Sequence, residues 1–460
     1  MKRNNKNIAA MLLMAAAAFV GSSCENDNIN PYEYNNNGSN QNQGSTEVLK
    51  TKIAEYPVGS VVWTKDTTLT ESVEIPVGTS LYIEPGVTVT CKSDVQVPIE
   101  IVVLGNLYCM GTTEHPVTFT SDTKKTEDWG GIICGYNSQE VVLNHVDLAY
   151  AGATPTESSA SFQNHLFKST IDGGVPAFHF CNVNGKFVMA NCFLHDNYND
   201  QTYFTGGQGV IYNCIFADNG NATDGGEAIN VKAGCKLDIA NNIIYNACTN
   251  AFKLSNSGNS ELIPLTQLTA YNNTIVNCGW RRAKNKKGGS VWLEKAIAPT
   301  FVNNLVYDCR YGLKQPKKDG ADLEHSTVAP NYYFASTETG VKQMSKDADM
   351  IIWNDNDIKS CVAGQLNPLL KNFKQSDKMN INCEIDNVQQ GAPLAFDRSW
   401  NFNLQQGSPA LSGGITGIQR IFPTGLAFFG MKKVMFLDNC NDQNYYFAAP
   451  IPTTQFGAAL

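Results

Sequence analysis

Short runs of alternating apolar and polar residues fill most of this chain. "TSLYIEPGVTVTC", "IEIVVLGNLYCMG" and "HPVTFTSD" alternate between Gly and Pro turns, which reads as a series of short β-strands. From about residue 58 onward no long helical periodicity is present. A heptapeptide pattern recurs at Asn191 (NCFLHDN), Asn213 (NCIFADN), Asn241 (NNIIYNA), Asn272 (NNTIVNC) and Asn303 (NNLVYDC). The copies are spaced by 22, 28, 31 and 31 residues. Asn is first in each, Cys or Asn second, and Asp or Asn sixth. Second short strands, "AINV", "AFKL", "SVWL" and "GLKQ", follow copies two to five.

A fixed period of this size marks a solenoid. The pattern predicts an all-β chain, a right-handed parallel β-helix of three-strand coils stacked about 4.8 Å apart. Residues beyond the shortest repeat must leave the coils as loops. Asn suits a repeated turn because it tolerates the left-handed backbone, and its amide can reach the Asn one coil away. Open solenoid ends expose sheet edges, so caps are expected at both. We expect the helix with its N-terminal cap and insertions over 49–415, residues 49–75 forming that cap, and a C-terminal cap over 416–460.

The start of the chain reads differently. Lys2, Arg3 and Lys6 precede the apolar run "IAAMLLMAAAAFV" and the small residues Gly21, Ser22 and Ser23, directly before Cys24. This predicts a signal peptide over 1–23, with a tether rich in Asn, Gly, Ser and Gln over 24–48. Loss of residues 1–23 removes three positive charges and no acidic ones, taking the formal charge from −8 to −11. Attraction for an acidic ligand would have to be local. The fourteen cysteines minus Cys24 leave an odd number, which argues against a complete disulfide framework. Most sit inside apolar runs, where free cysteine behaves as a small hydrophobe. No CxxC pair suggests zinc.

The segment around Cys24 resembles a bacterial lipoprotein cleavage site, which implies a lipidated Cys24 and anchoring to, not through, a membrane. "VEIPVGTSLYIEPGVTVTC", "IEIVVLGNLYCMGTTEHPVTFTSD" and "DWGGIICG" resemble the opening coils of β-helix lipoproteins of Bacteroidetes-type bacteria, in the pectate-lyase-like superfamily. "FNLQQGSPALSGG" (402–414) resembles the segment that closes many such helices. The resemblance covers most of residues 55–415 and implies an outer-membrane, surface-exposed setting. It implies a ligand along the outer face of one sheet, here the sheet of "AINV", "AFKL", "SVWL" and "GLKQ".

Strand alternation points Ile229, Val231, Phe252, Leu254, Val291 and Leu293 inward. Asn230, Lys253, Trp292 and Lys314 then form an outward column, with Lys232 and Glu294 two residues on. An aromatic ring among amides and lysines suits a sugar chain. The loop "GWRRAKNKKGGS" (279–290) is expected beside Trp292, with Arg281 and Arg282 as contacts for an acidic glycan. "ADNGNATDGGE" offers Asp218, Asp224 and Glu227 as oxygen ligands for Ca²⁺, and Lys253 would be the base of a calcium-dependent lyase. His145 and His195 are isolated in sequence. The sequence expectation is a monomeric surface lipoprotein binding a polysaccharide, acidic by the basic loop. A polysaccharide lyase or other carbohydrate-active enzyme is the alternative, and a structural or adhesive protein the second. Nothing extends the basic stripe as nucleic acid would require.

Overall fold

The computed structural model describes residues 56–166, 173–220, 225–282, 288–346, 348–375, 395–431 and 445–460. The signal segment, Cys24 and the expected tether lie outside the described residues.

The alternating runs become strands of two to six residues that stack in register into three parallel sheets. The first has nine strands, from Val61–Trp63 to Thr300–Val302. The second has eleven, from Thr67–Leu69 to Ile358–Lys359, and the third nine, from Val73–Ile75 to Leu313–Lys314. Each circuit of the chain visits the sheets in that order, which makes a parallel β-helix. Residues 61–75 are already the first coil, although the sequence suggested a cap there. The parallel sheets end at Ile358–Lys359, well before residue 415.

Inward side chains from all three sheets fill the interior with a single apolar cluster. Phe187 and Phe204 stack there with centroids 4.6 Å apart. Ten of the eleven free cysteines among the described residues are buried, as their apolar settings suggested.

The repeated Asn has two jobs. First-position residues Asn191, Asn213, Asn241, Asn272 and Asn303 all adopt left-handed backbone, φ 51–59°. Asp and Asn at the sixth position do the same, φ 49–56°. This is the conformation that short polar side chains accept best. Asn213 donates to Asn191 Oδ1 at 3.3 Å, and Asn241 to Asn213 Oδ1 at 2.7 Å. The second position builds a deeper ladder. Asn242, Asn273 and Asn304 each donate an amide to the next Asn Oδ1, ending at Asn331, at 2.9–3.0 Å. Cys214 and Cys192 continue the ladder toward the N-terminus.

Outer faces of two sheets are covered by the chain's own C-terminal part. Tyr82, Tyr108, Val142 and Val188 of the first sheet pack against Leu426, Phe428, Met431 and Phe447. Glu140 accepts from the Phe429 and Gly430 amides at 2.9 and 3.0 Å, and Asp238 from Ile421 and Phe422 at 2.8 Å. On the second sheet, Ile243, Tyr245 and Tyr307 pack under Phe373, Phe396, Trp400 and Phe402. The segment expected to close the helix thus acts as a cover. Its strand Asn401–Leu404 pairs antiparallel with Leu370–Asn372. Leu426–Phe428 and Tyr445–Phe447 form the second antiparallel pair.

Candidate functional site

The third sheet is treated differently along its length. In its early coils, outward Val102 and Ile133 are fully buried beneath Leu166 and Val175. The helix Ala160–Gln163 sits here, and buried Glu100 accepts the Ser161 amide and hydroxyl at 2.7 and 2.6 Å. At the far end, Lys314 forms an antiparallel bridge with Ile351, and its side chain is buried with Nζ 3.4 Å from the centre of the Tyr311 ring. Between these covers, Tyr203, Lys253 and Trp292 are only half-buried.

Register makes a column of them. Tyr203 pairs with Asn230, Asn230 with Lys253, Lys253 with Trp292, and Trp292 with Lys314. Ile229, Val231, Phe252, Leu254, Val291 and Leu293 lie in the core, so the alternation read from sequence is present. Ser255 and Glu294 pair two residues further along.

Charged groups converge on Lys253. Its Nζ lies 4.0 Å from Glu227 Oε1 and 3.9 Å from Glu294 Oε1, and Lys232 Nζ is also 3.9 Å from Glu294 Oε1. The Trp292 indole donates to Glu294 Oε2 at 2.7 Å. Asp200 organises the other side. Its Oδ1 accepts from the Gly226 and Glu227 amides, both at 2.9 Å, and its Oδ2 accepts from Asn230 at 2.8 Å. Asn230 Oδ1 and Ser290 Oγ are buried without hydrogen-bond partners, on the same outward face by strand alternation.

These surroundings divide the two glutamates. Burial, then the charge of Asp200, pushes Glu227 up to about 8. Burial also acts on Glu294, but Lys253, the Trp292 indole and Lys232 outweigh it and hold this carboxyl below its ordinary value. Burial, then Lys253, pushes Lys232 down to about 8.

The raised Glu227 value has a stability consequence. A group whose folded pKa lies above its unfolded one stabilises the fold fully below the unfolded value and loses that contribution as pH rises through the folded value. Here the loss runs from about pH 4.5 to about pH 8. Glu227→Gln carries no such ionisation. Relative to the parent, its melting temperature is expected to rise between pH 5 and pH 9, measured by calorimetry at both. A constant difference between the two proteins would contradict the buried setting of Glu227.

Other expected site residues have different places. Arg281 is not free to meet a ligand. Its guanidinium donates to the carbonyls of Asn219, Gly220 and Asn246 at 2.5, 3.2 and 2.7 Å, and to Asn246 Oδ1 at 3.0 Å. It ties the turns of neighbouring coils together. Arg282 is buried, with Nε and Nη1 lacking hydrogen-bond partners, so it presents no exposed guanidinium. Lys284, Lys286 and Lys287 lie outside the described residues. Arg281→Met is therefore expected to cost about 1–3 kcal/mol of stability through orphaned carbonyls, read by denaturant titration, while leaving ligand affinity within about twofold.

Asp218 is occupied elsewhere. It accepts from Asn246 Nδ2 at 2.5 Å and from the Phe396 amide at 2.6 Å, whereas Glu227 faces Lys253. Asp224 lies outside the described residues. Among the described residues, no group of three or more His, Cys, Asp or Glu is arranged to hold a metal ion. Nor is any helix among them long and apolar enough to cross a membrane.

His195 is isolated only in sequence. Its ring lies 2.9 Å from Asp147 and 2.7 Å from Asp196, and Arg398 reaches Asp147 Oδ2 at 2.5 Å. Burial opposes the charged imidazole, but the two carboxylates prevail and raise its pKa. The Arg398 contact links the second sheet to its cover. Asp200 is the partner that sequence reasoning missed. It precedes "AINV" by a whole coil, and only register brings it beside Asn230.

Comparison with known families agrees with this architecture. Residues 56–164 match the model described as pectate-lyase like beta helix domain, and residues 153–357 match right handed beta helix region. No curated protein matches, and no solved structure does. Pectate-lyase-like domains fit a carbohydrate-related function. The two matches support the superfamily, and with the three stacked sheets they make this chain an all-β, right-handed parallel β-helix.

Proposed function

We propose that the uncovered middle of the third sheet binds a carbohydrate. The carrying observation is the in-register column Tyr203, Asn230, Lys253 and Trp292, in which Tyr203, Lys253 and Trp292 stay half-buried between the covered Val102–Ile133 stretch and buried Lys314. An aromatic face covers the apolar side of a sugar ring, while carboxylates, amides and ammonium groups bond its hydroxyls. Coil spacing of about 4.8 Å along the column is close to the length of one sugar ring. The covers at both ends favour an oligosaccharide or a chain end.

The charge balance alters the expectation of an acidic ligand. Asp200 and Glu294 offset Lys232 and Lys253, and Arg281 is taken up by backbone carbonyls. A neutral glycan suits this better. In this reading the protein is a monomer held at the outer-membrane surface by a lipid on Cys24. Glycan arrays carrying neutral and acidic polysaccharides test the reading. Retention of a neutral glycan, lost in the Lys253→Ala, Trp292→Ala double variant, is expected. Retention unchanged in that variant would overturn the site.

A further inference from the structure

The site contains more than binding requires. Two glutamates approach one ammonium from different coils, each within 4.0 Å of Lys253 Nζ, so their carboxyl groups lie no more than about 8 Å apart. Lys253 lies near both, and this upper bound admits the separation of an acid and a base that act on opposite faces of a sugar ring. Resting on the carbohydrate reading above, we propose that this chain hydrolyses a glycosidic bond of a neutral glycan, with Glu227 as the acid and Glu294 as the base.

Several features support the assignment independently of one another. Glu227 is held by its own amide and that of Gly226 on Asp200, which fixes its backbone at the start of the strand. Asn250 Nδ2 lies 3.3 Å from Glu227 Oε1. Glu294 is oriented by the Trp292 indole, so the group that would stack on a sugar also aims the base. The buried Ser290 Oγ and Asn230 Oδ1 have no hydrogen-bond partner within the protein. Such atoms are costly unless a ligand or water satisfies them. The environments that keep Glu227 protonated and Glu294 ionised near neutral pH separate the roles of two chemically identical groups.

In the step, the Glu227 carboxyl proton passes to the glycosidic oxygen. The bond from C1 to that oxygen breaks, and its electron pair stays on the departing sugar. Glu294 takes a proton from water, and the water oxygen bonds to C1. Glu227 ends ionised and Glu294 protonated, and exchange of one proton with solvent resets the pair. The water is divided between the two products, and no oxidation occurs. Lys253 faces both carboxylates and would stabilise the charge that moves between them, as a positioning residue.

The test uses the full folded chain and laminarin, xylan, galactomannan and α-mannan, with reducing ends measured by chromatography and product anomers by proton NMR. New reducing ends from at least one, formed with inverted configuration, are expected. Glu227→Gln and Glu294→Gln should each lower the rate by about a thousandfold while still retaining the same polysaccharide on the array. With an aryl glycoside that departs without protonation, Glu227→Gln should recover most of the rate, and Glu294→Gln should not. Binding without new reducing ends would overturn the hydrolysis and leave the binding reading standing. Neither binding nor cleavage would overturn both. Unsaturated products from an acidic polysaccharide would overturn hydrolysis in favour of elimination, and retained configuration would overturn Glu294 as the base.

Discussion

Asn273→Ala is expected to destabilise the protein by about 3–4 kcal/mol, because it leaves several buried polar groups without partners at once. Asn273 Oδ1 accepts from the Asn242 amide at 3.0 Å and from Asn242 Nδ2 at 2.9 Å. Its own Nδ2 donates to the Ile239 and Tyr271 carbonyls and to Asn304 Oδ1. The residue is fully buried, so water cannot replace these bonds without entering the core. Alanine also interrupts the ladder between Asn242 and Asn304, and each coil depends on its neighbours. Asn273→Cys should lose less, since Cys192 and Cys214 already fill this place in earlier coils. Denaturant titration of the two variants checks the ranking. Equal stability of Asn273→Ala and the parent would show that the ladder contributes nothing.

Trp292→Ala is expected to weaken carbohydrate binding by about thirtyfold, corresponding to about 2 kcal/mol. Two losses combine. The half-buried ring that would cover a sugar face disappears, and Glu294 loses the indole N–H that orients it. Trp292→Phe separates them, since phenylalanine keeps a ring and lacks the donor. It should retain part of the affinity while lowering hydrolysis further than binding. Tyr446→Ala, at an exposed position of the segment covering the first sheet, should leave affinity unchanged. Calorimetric titration with one oligosaccharide reads all three. Equal losses at Trp292 and Tyr446 would place the ligand elsewhere.

The fold was legible because its rules are local and repeated. The Asn heptapeptides state the coil period, and strand alternation states which side chains face in. Together they place Asn230, Lys253, Trp292 and Lys314 in one column, as the register does. What was not legible depends on contacts across long sequence distances. Residues 395–431 and 445–460 cover two outer faces through pairs such as Glu140 with Phe429 and Asp238 with Ile421. A parallel β-helix pattern carries no record of what lies on its outside. The basic loop illustrates the same limit. Charge counting suggested that Arg281 faces a ligand, but the orphan carbonyls of the neighbouring turns offered it nearer partners. The Lys314 position was read correctly along the sheet, yet the chain folds back over it, which shortens the open stretch. Asp200 and Glu227 acquire their roles only when successive coils stack.

A crystal structure of the protein with the oligosaccharide retained on the array decides where the carbohydrate sits. A sugar ring is expected against the Trp292 face, with hydroxyls within hydrogen-bond distance of Lys253 and Glu294 and occupancy ending before Lys314. A ligand bound with full occupancy over the first or second sheet, with the Tyr203 to Trp292 column empty, would contradict this placement.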